Sequence, residues 1–189
     1  MAIRMFIALD LDESIRQRLT QAAREFPEGN SKIRWVPPEN LHVTVKFLGN
    51  VAKARARNVC ELMPKVAEGI EPFDFEVVGL RCVPPGGRVK MIWADIHEPT
   101  GRLAAAAGLV ETAMTSLRFP REKRQFVPHI TVGRVKMTED SPGLRAAAAQ
   151  HAETHFGRQD ARELVTYSSK LIPNGAVYTA VLRSPLGPA

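Results

Sequence analysis

The pattern His-Xaa-Thr-Xaa occurs twice in the chain, as His42-Val43-Thr44-Val45 and as His129-Ile130-Thr131-Val132. Each copy lies in an apolar run, and a β-strand turns alternate side chains to the same face. Each strand would therefore present one imidazole and one hydroxyl on one face and branched apolar side chains on the other. Two such strands facing each other would place two histidines and two hydroxyl donors around one small cavity, which suits phosphoester chemistry.

The segments that precede the two motifs also correspond to each other. Met5–Asp10 and Met91–Ile96 are both apolar and strand-like, and each is followed by a turn and a helix-like stretch. Ala8 and Ala94 lie 34 and 35 residues before the histidines of their motifs. We therefore predict two related halves whose motif strands lie opposite each other across a central groove. A repeat number of two is too low for a solenoid.

Apolar periodicity predicts an α+β fold of antiparallel sheets with outer helices. No Pro/Ser-rich linker divides the chain, so we predict one bilobal domain over residues 1–189. The predicted strands are 3–9, 33–36, 41–48, 73–78, 89–96, 128–135, 164–171 and 176–182, the last two joined by a hairpin at 173–175. The predicted helices are 12–23, 53–67, 101–117 and one from Ser141 to about His155.

The charge of the chain indicates an anionic partner. Its formal net charge is +6 and its pI is near 9.7, which meets the usual criterion for a nucleic-acid-binding protein. The first basic cluster, Lys53–Arg57, is equally consistent with a solvated helix face. The second runs directly into the His129 motif, where it would attract a polyanion. Its members are Arg118, Arg121, Lys123 and Arg124.

Other features narrow the class of protein. The sequence has no apolar run of about 18 residues and no signal-peptide pattern, so we expect neither membrane spanning nor secretion. We interpret Cys60 and Cys82 as buried free thiols, which suits a reducing cytoplasm. No Walker-type Gly-rich loop is present, which argues against an ATP-dependent ligase or kinase.

The remaining histidines do not indicate a metal site. His151 and His155 lie four residues apart on the predicted last helix, which is metal-ligand spacing, but no third ligand is evident. We interpret the pair as a solvated helix end and His97 as a surface residue. We expect no metal and no cofactor.

The two motifs, together with Phe6–Asp10, Leu41–Gly49, Pro128–Arg134 and Tyr167–Lys170, resemble the 2H phosphoesterase superfamily. The chain is most similar to the bacterial and archaeal RNA 2′,3′-cyclic phosphodiesterases, long named 2′-5′ RNA ligases. This resemblance implies a two-lobed fold with a groove between the lobes and metal-independent hydrolysis of an RNA 2′,3′-cyclic phosphate to a 2′-phosphate. Members have also been associated with joining or cleaving 2′-5′ linkages in tRNA halves.

The resemblance implies four catalytic residues, His42, Thr44, His129 and Thr131, with His42 as proton donor and His129 as proton acceptor. The chemistry agrees, because the reaction needs a base and an acid on opposite sides of phosphorus. Imidazole titrates at about pH 6.5 and serves both roles. The two hydroxyls can donate hydrogen bonds to the phosphoryl oxygens.

Four further side chains are weaker candidates for substrate binding. Strand alternation places Lys46 on the face of His42, where it would contact phosphate or lie at the groove rim. Alternation places Arg134 on the face opposite to His129, and only a β-bulge at Gly133 would redirect it towards a phosphate. Phe47 and Trp93 could stack on a base, although core packing is the more common fate of such residues.

Two other functions are compatible with the sequence. One is a non-catalytic module that binds RNA ends. The other is a cyclic phosphodiesterase that acts on a small nucleotide such as ADP-ribose 1″,2″-cyclic phosphate. Groove walls, rather than motif residues, distinguish RNA from a small nucleotide. We expect a monomer.

Overall fold

The computed structural model describes residues 2–27, 31–138, 140–173 and 175–188. Within these residues the chain has the predicted α+β composition, with nine β-strands, four α-helices and a short 3₁₀ helix at Pro38–Asn40. The strands are β1 (Ala2–Asp10), β2 (Ser31–Trp35), β3 (His42–Ala52), β4 (Phe73–Val83), β5 (Met91–His97), β6 (His129–Thr138), β7 (His155–Ala161), β8 (Glu163–Ile172) and β9 (Gly175–Pro185). The helices are α1 (Glu13–Ala23), α2 (Lys53–Glu68), α3 (Arg102–Ser116) and α4 (Ser141–Gln150).

The strands form one antiparallel sheet in the order β7-β4-β5-β6-β3-β1-β8-β9, with β2 also paired to β6. The two motif strands, β3 and β6, are neighbours at the middle of this order, where Val43 pairs with Ile130. Residues of β2 and β9 are far apart in the strand order but line the same groove, so the sheet is curled. The predicted lobes are the two halves of this sheet on either side of the β3–β6 junction.

Core packing decides which face of each motif strand carries the histidine and the threonine. Val43 and Ile130 are fully buried in the apolar core, to which the helices contribute, whereas His42 and Thr44 on the other face are only partly buried. Burying an aliphatic side chain of this size stabilises the fold by about 1.5–3 kcal/mol. A change of register would expose these residues, so the core fixes the orientation of both histidines.

The helices bury the stripes that their spacing predicts, as α1 does with Ile15, Leu19, Ala22 and Ala23. No helix in the described part of the chain is both long and apolar enough to cross a membrane. The predicted helix 141–155 is too long, because α4 ends at Gln150 and β7 begins at His155.

A close backbone contact explains the early end of α4. The amides of Gly79 and Leu80 in β4 donate to the carbonyls of Thr154 and His151, which turns the chain from helix into strand. The interpretation of His151 and His155 as a solvated helix end is therefore wrong. His151 is buried, with its Nε2 3.3 Å from the carboxylate of Glu25.

This contact predicts the effect of replacing Gly79 by Ala. Gly79 has a φ of +80°, and a Cβ there would lie 2.4 Å from the carbonyl oxygen of Ala152. We expect Gly79→Ala to reduce the free energy of unfolding by about 2–4 kcal/mol, as measured by denaturant titration. Gly86→Ala is the matched control, because no atom lies within 4 Å of its added Cβ. Equal stability of the two variants would contradict the described contact.

Candidate active site

The concave face of the sheet holds a groove of about 370 Å³ at the β3–β6 junction. The structure brings the four predicted catalytic residues together there: His42, Thr44, His129 and Thr131 all line it. The described wall contains no α-helical residue, so strands and the 36–40 connection form the site.

His42 is held at both ring nitrogens. Its Nδ1 lies 2.7 Å from the carbonyl oxygen of Asn40, and its Nε2 lies 2.9 Å from Oγ1 of Thr44. A carbonyl oxygen can only accept, so Nδ1 carries the proton and the neutral ring accepts at Nε2 from the Thr44 hydroxyl. Asn40 is fixed in turn, because its Nδ2 donates to the carbonyl of Ala176 in β9.

His129 repeats the Nδ1 contact on the neighbouring strand β6. Its Nδ1 lies 2.8 Å from the carbonyl oxygen of Val127, again two residues earlier in the chain. The proton is therefore on Nδ1, and Nε2 is left for chemistry. Both motifs thus set the same tautomer by the same local hydrogen bond.

Burial lowers the pKa of His42 below its ordinary value of 6.5. The hydrogen bond to Asn40 and the carboxylate of Asp10 oppose this shift by favouring the imidazolium. The guanidinium groups of Arg134 and Arg16 add to the lowering. The imidazole is therefore weakly basic, although a carboxylate is near enough to support its charged form.

Burial also lowers the pKa of His129. The hydrogen bond to Val127 and the carboxylate of Asp95 favour the charged ring, whereas Arg81 and Arg134 disfavour it. The two histidines therefore share the direction of their pKa shift but differ in the charges that surround them.

Trp93 forms one side of the His129 site, a role that the sequence reasoning missed. Its ring stacks on His129 with a centroid distance of 3.6 Å and an interplanar angle of 15°. The guanidinium of Arg81 lies over the indole at 5.0 Å and forms a 2.6 Å ion pair with Asp95. The expectation that Trp93 packs in the core is therefore wrong. The local sequence carries no signal for this stack, because it depends on the pairing of β5 with β6, which places Trp93 beside Thr131.

Each motif strand has a β-bulge directly after its Thr. In β3 the register skips Val45, so that Lys46 pairs with Ile7 and Thr44 with Ala8. In β6 the register against β5 skips Val132, one residue before the position considered from the sequence. A bulge reverses the alternation of side chains beyond it.

The bulges bring the fifth residue after each histidine into the groove. Phe47 lines the groove and is 61% exposed, so the expectation that it packs in the core is wrong. Arg134 also lines the groove, in agreement with the redirection that a bulge near Gly133 would cause. Equivalent positions of the two halves thus carry an aromatic side chain on one strand and a cation on the other.

Lys46 is turned away from the groove, so its predicted place on the face of His42 is wrong. It is buried, and its Nζ donates to Oε2 of Glu111 at 2.6 Å and to the carbonyl of Pro120 at 3.1 Å. Glu111 also accepts from the amide of Glu122. This ion pair therefore fixes the start of the loop that ends in Val127, the hydrogen-bond acceptor of His129.

The groove is electropositive. Arg4, Arg34 and Arg134 line it, and the described lining includes no Asp or Glu. In the first basic cluster, the guanidinium of Arg55 lies over the ring of Phe119, 5.2 Å from its centroid, and neither basic cluster contributes to the described groove lining. An anionic ligand therefore meets positive charge in the groove.

The other candidate groups lie outside the groove. Among the described residues, no group of three or more His, Cys, Asp or Glu side chains is arranged to hold a metal ion. His97 is exposed at the end of β5, as predicted. Cys60 is a partly exposed free thiol and Cys82 a buried one.

Comparison with known proteins places this site in a family. The family model described as LigT like Phosphoesterase matches residues 9–93 and again residues 95–178, so that each match contains one His-Xaa-Thr-Xaa motif. The RNA 2′,3′-cyclic phosphodiesterase of Archaeoglobus fulgidus is 32% identical over 176 residues, covering 93% of this chain and 96% of that protein. The protein of the same name from Methanothermobacter thermautotrophicus is 28% identical over 179 residues, covering 95% and 96%.

Solved structures share the fold. A crystal structure from Thermus thermophilus matches with a TM-score of 0.82 at 24% identity, covering 98% of each chain. Escherichia coli LigT in complex with 3′-AMP matches with a TM-score of 0.80 at 22% identity, covering 98% of this chain and 99% of that one. With the family model matched over both halves, the chain belongs to the LigT-like phosphoesterases of the 2H superfamily.

Proposed function

We propose that the protein hydrolyses the 2′,3′-cyclic phosphodiester at RNA ends to a 2′-phosphomonoester without a metal ion. The observation that supports this most is the pair of imidazoles in one groove, each with Nδ1 bonded to a backbone carbonyl, so that Nε2 is the ring nitrogen without a proton. Three arginines without a carboxylate in the described lining suit an anionic substrate. The names of the relatives agree with this substrate class.

In the proposed reaction, water attacks phosphorus as the bond from phosphorus to O3′ breaks in line with it. Nε2 of His129 takes the proton from water, and the Nε2 proton of His42 goes to O3′. Thr44 and Thr131 donate hydrogen bonds to the phosphoryl oxygens, and Arg134 balances their charge. Once His42 is protonated it no longer accepts from Thr44, so that hydroxyl becomes available to the phosphate.

The surroundings of His42 support this assignment of roles. The leaving oxygen belongs to the nucleoside, and Phe47, a platform for a base, lies on the strand of His42. The charges do not distinguish the two rings, because Asp10 opposes Arg134 and Arg16 at His42, and Asp95 opposes Arg81 and Arg134 at His129. The position of Phe47 on the strand of His42 therefore favours His42 as the acid and His129 as the base.

The same step accounts for ligation. If the 5′-hydroxyl of a second strand replaces water, phosphorus keeps its bond to O2′ and gains a bond to O5′. The product is a 2′-5′ linkage, and the protons move between the same groups. We include this joining activity, with tRNA halves among its substrates, in the proposed function.

We further propose a cytoplasmic monomer. Its free thiols suit a reducing compartment. Residues of one chain line the groove from β1 to β9, so the site needs no contribution from a second copy.

Turnover in EDTA of an RNA oligonucleotide ending in a 2′,3′-cyclic phosphate tests the proposed function. We expect a 2′-phosphate product, and kcat reduced by about 10²–10⁴-fold in His42→Ala and in His129→Ala, because each removes a general acid or base. His97→Ala is the matched control, since this histidine is exposed and outside the groove. Products are separated as 2′- and 3′-phosphates by chromatography.

Three outcomes would contradict the proposal. Near-normal kcat in either catalytic variant would exclude the two-histidine mechanism. Tight RNA binding without turnover would indicate a binding module. Turnover of cyclic mononucleotides or ADP-ribose 1″,2″-cyclic phosphate, without turnover of the oligonucleotide, would indicate a small-nucleotide enzyme.

The pH dependence provides a second prediction. The kcat/KM profile reports groups of the free enzyme, and burial lowers the pKa of both histidines below 6.5. We therefore expect a bell-shaped kcat/KM profile with its maximum below pH 6.5. Bound phosphate favours the imidazolium of His42, so the alkaline limb of kcat should lie at higher pH than that of kcat/KM. A kcat/KM maximum at pH 7 or above would contradict this description.

A further inference from the structure

Two arginines of the groove lie directly opposite each other on paired strands. Arg34 of β2 and Arg134 of β6 are register partners, and both are exposed and line the groove. Opposed Cα atoms of antiparallel strands are roughly 4.5–5.5 Å apart, so the two side chains start from neighbouring points. Like charges in this position disfavour strand pairing.

In the described part of the chain, no acidic side chain forms an ion pair with either arginine. The described groove lining contains no carboxylate. The described polar contact of Arg134 is a long one, 3.7 Å from Nη1 to Sδ of Met91. An anion between or beside the two guanidinium groups would supply the missing negative charge.

The backbone beneath the pair is held in place. Trp35, next to Arg34, packs over Gly133, where an added Cβ would lie 2.8 Å from the indole ring. The bulge at Val132 turns Arg134 into the groove. The two strands therefore place both side chains before any ligand binds.

The two arginines differ in their relation to the reacting phosphate. Arg134 lies near enough to both histidines to influence the pKa of each, whereas Arg34 is not among the charges that influence either ring. Arg134 shares β6 with His129 and Thr131, whereas Arg34 is on β2, one strand away from them in the sheet.

We propose that Arg34 forms a binding site for a second phosphate, the internucleotide phosphate on the 5′ side of the terminal nucleotide, with Arg134 between the two phosphates. This inference rests on the proposed function and specifies its substrate. The enzyme would prefer RNA of two or more nucleotides to a cyclic mononucleotide.

Arg34→Gln tests this site with two substrates, a dinucleotide and a mononucleotide that both end in a 2′,3′-cyclic phosphate. We expect KM for the dinucleotide to rise about tenfold or more, while kcat and all constants for the mononucleotide change less than about twofold. Lys32→Gln is the matched control, because Lys32 is an exposed cation on the same strand that does not line the groove.

A dinucleotide with an uncharged methylphosphonate linkage isolates the second phosphate. The wild-type protein should bind this compound as weakly as the Arg34→Gln variant binds the normal dinucleotide. The substitution Arg34→Gln should cause no further loss of affinity for the methylphosphonate compound. A mononucleotide 2′,3′-cyclic phosphate that carries a 5′-phosphate distinguishes the source of the anion. Equal sensitivity of this compound and the dinucleotide to Arg34→Gln would overturn the preference for an RNA linkage.

Binding measurements separate this proposal from the proposed function. Calorimetry with a dinucleotide and a mononucleotide that end in a 2′-phosphate requires no turnover. Weaker binding of the dinucleotide alone in Arg34→Gln would support the site even if the protein hydrolysed no cyclic phosphate. The proposal would be overturned if Arg34→Gln left the affinity for the dinucleotide unchanged. It would also be overturned if Arg4→Gln, rather than Arg34→Gln, reduced that affinity.

Discussion

The site depends on one hydrogen bond that occurs twice, from the Nδ1 proton of each histidine to the carbonyl two residues earlier in the chain. This bond sets the tautomer and directs Nε2 to the reacting groups. Both acceptors lie just before a strand, so the chemistry depends on how those segments are anchored. Asn40 is tied to β9, and the loop that leads to Val127 is fixed at its start by the buried pair of Lys46 and Glu111.

The two halves of the sheet use one local design for different tasks. Each has a bulge after the motif Thr, and each bulge delivers the fifth residue after the histidine to the groove. That residue is Phe47 in one half and Arg134 in the other. An apolar platform beside His42 suits a nucleoside, and a cation on the strand of His129 suits the phosphate, so the groove is chemically directional although its strands are related.

The elements and the four motif residues were predictable because strand alternation and helical spacing express burial directly, as Val43 and Ile130 show. Strand alternation wrongly placed Lys46 on the face of His42 and Phe47 in the core. Both side chains lie beyond a bulge, and a bulge depends on pairing with a partner strand that the local sequence does not specify. The stack of Trp93 on His129 and the opposition of Arg34 and Arg134 also come from strand register. The end of α4 was missed because a contact with distant Gly79 determines it.

The most direct test of the two-histidine site is ¹⁵N NMR of the histidine side chains, assigned by replacing each histidine with Gln. In the free protein at pH 7, both catalytic rings should be neutral with the proton on Nδ1. With a bound, non-hydrolysable analogue of an RNA 2′,3′-cyclic phosphate, His42 should become protonated while His129 stays neutral. A proton on Nε2 of either neutral ring in the free protein, or a charged His129 beside a neutral His42 in the complex, would contradict the proposed mechanism.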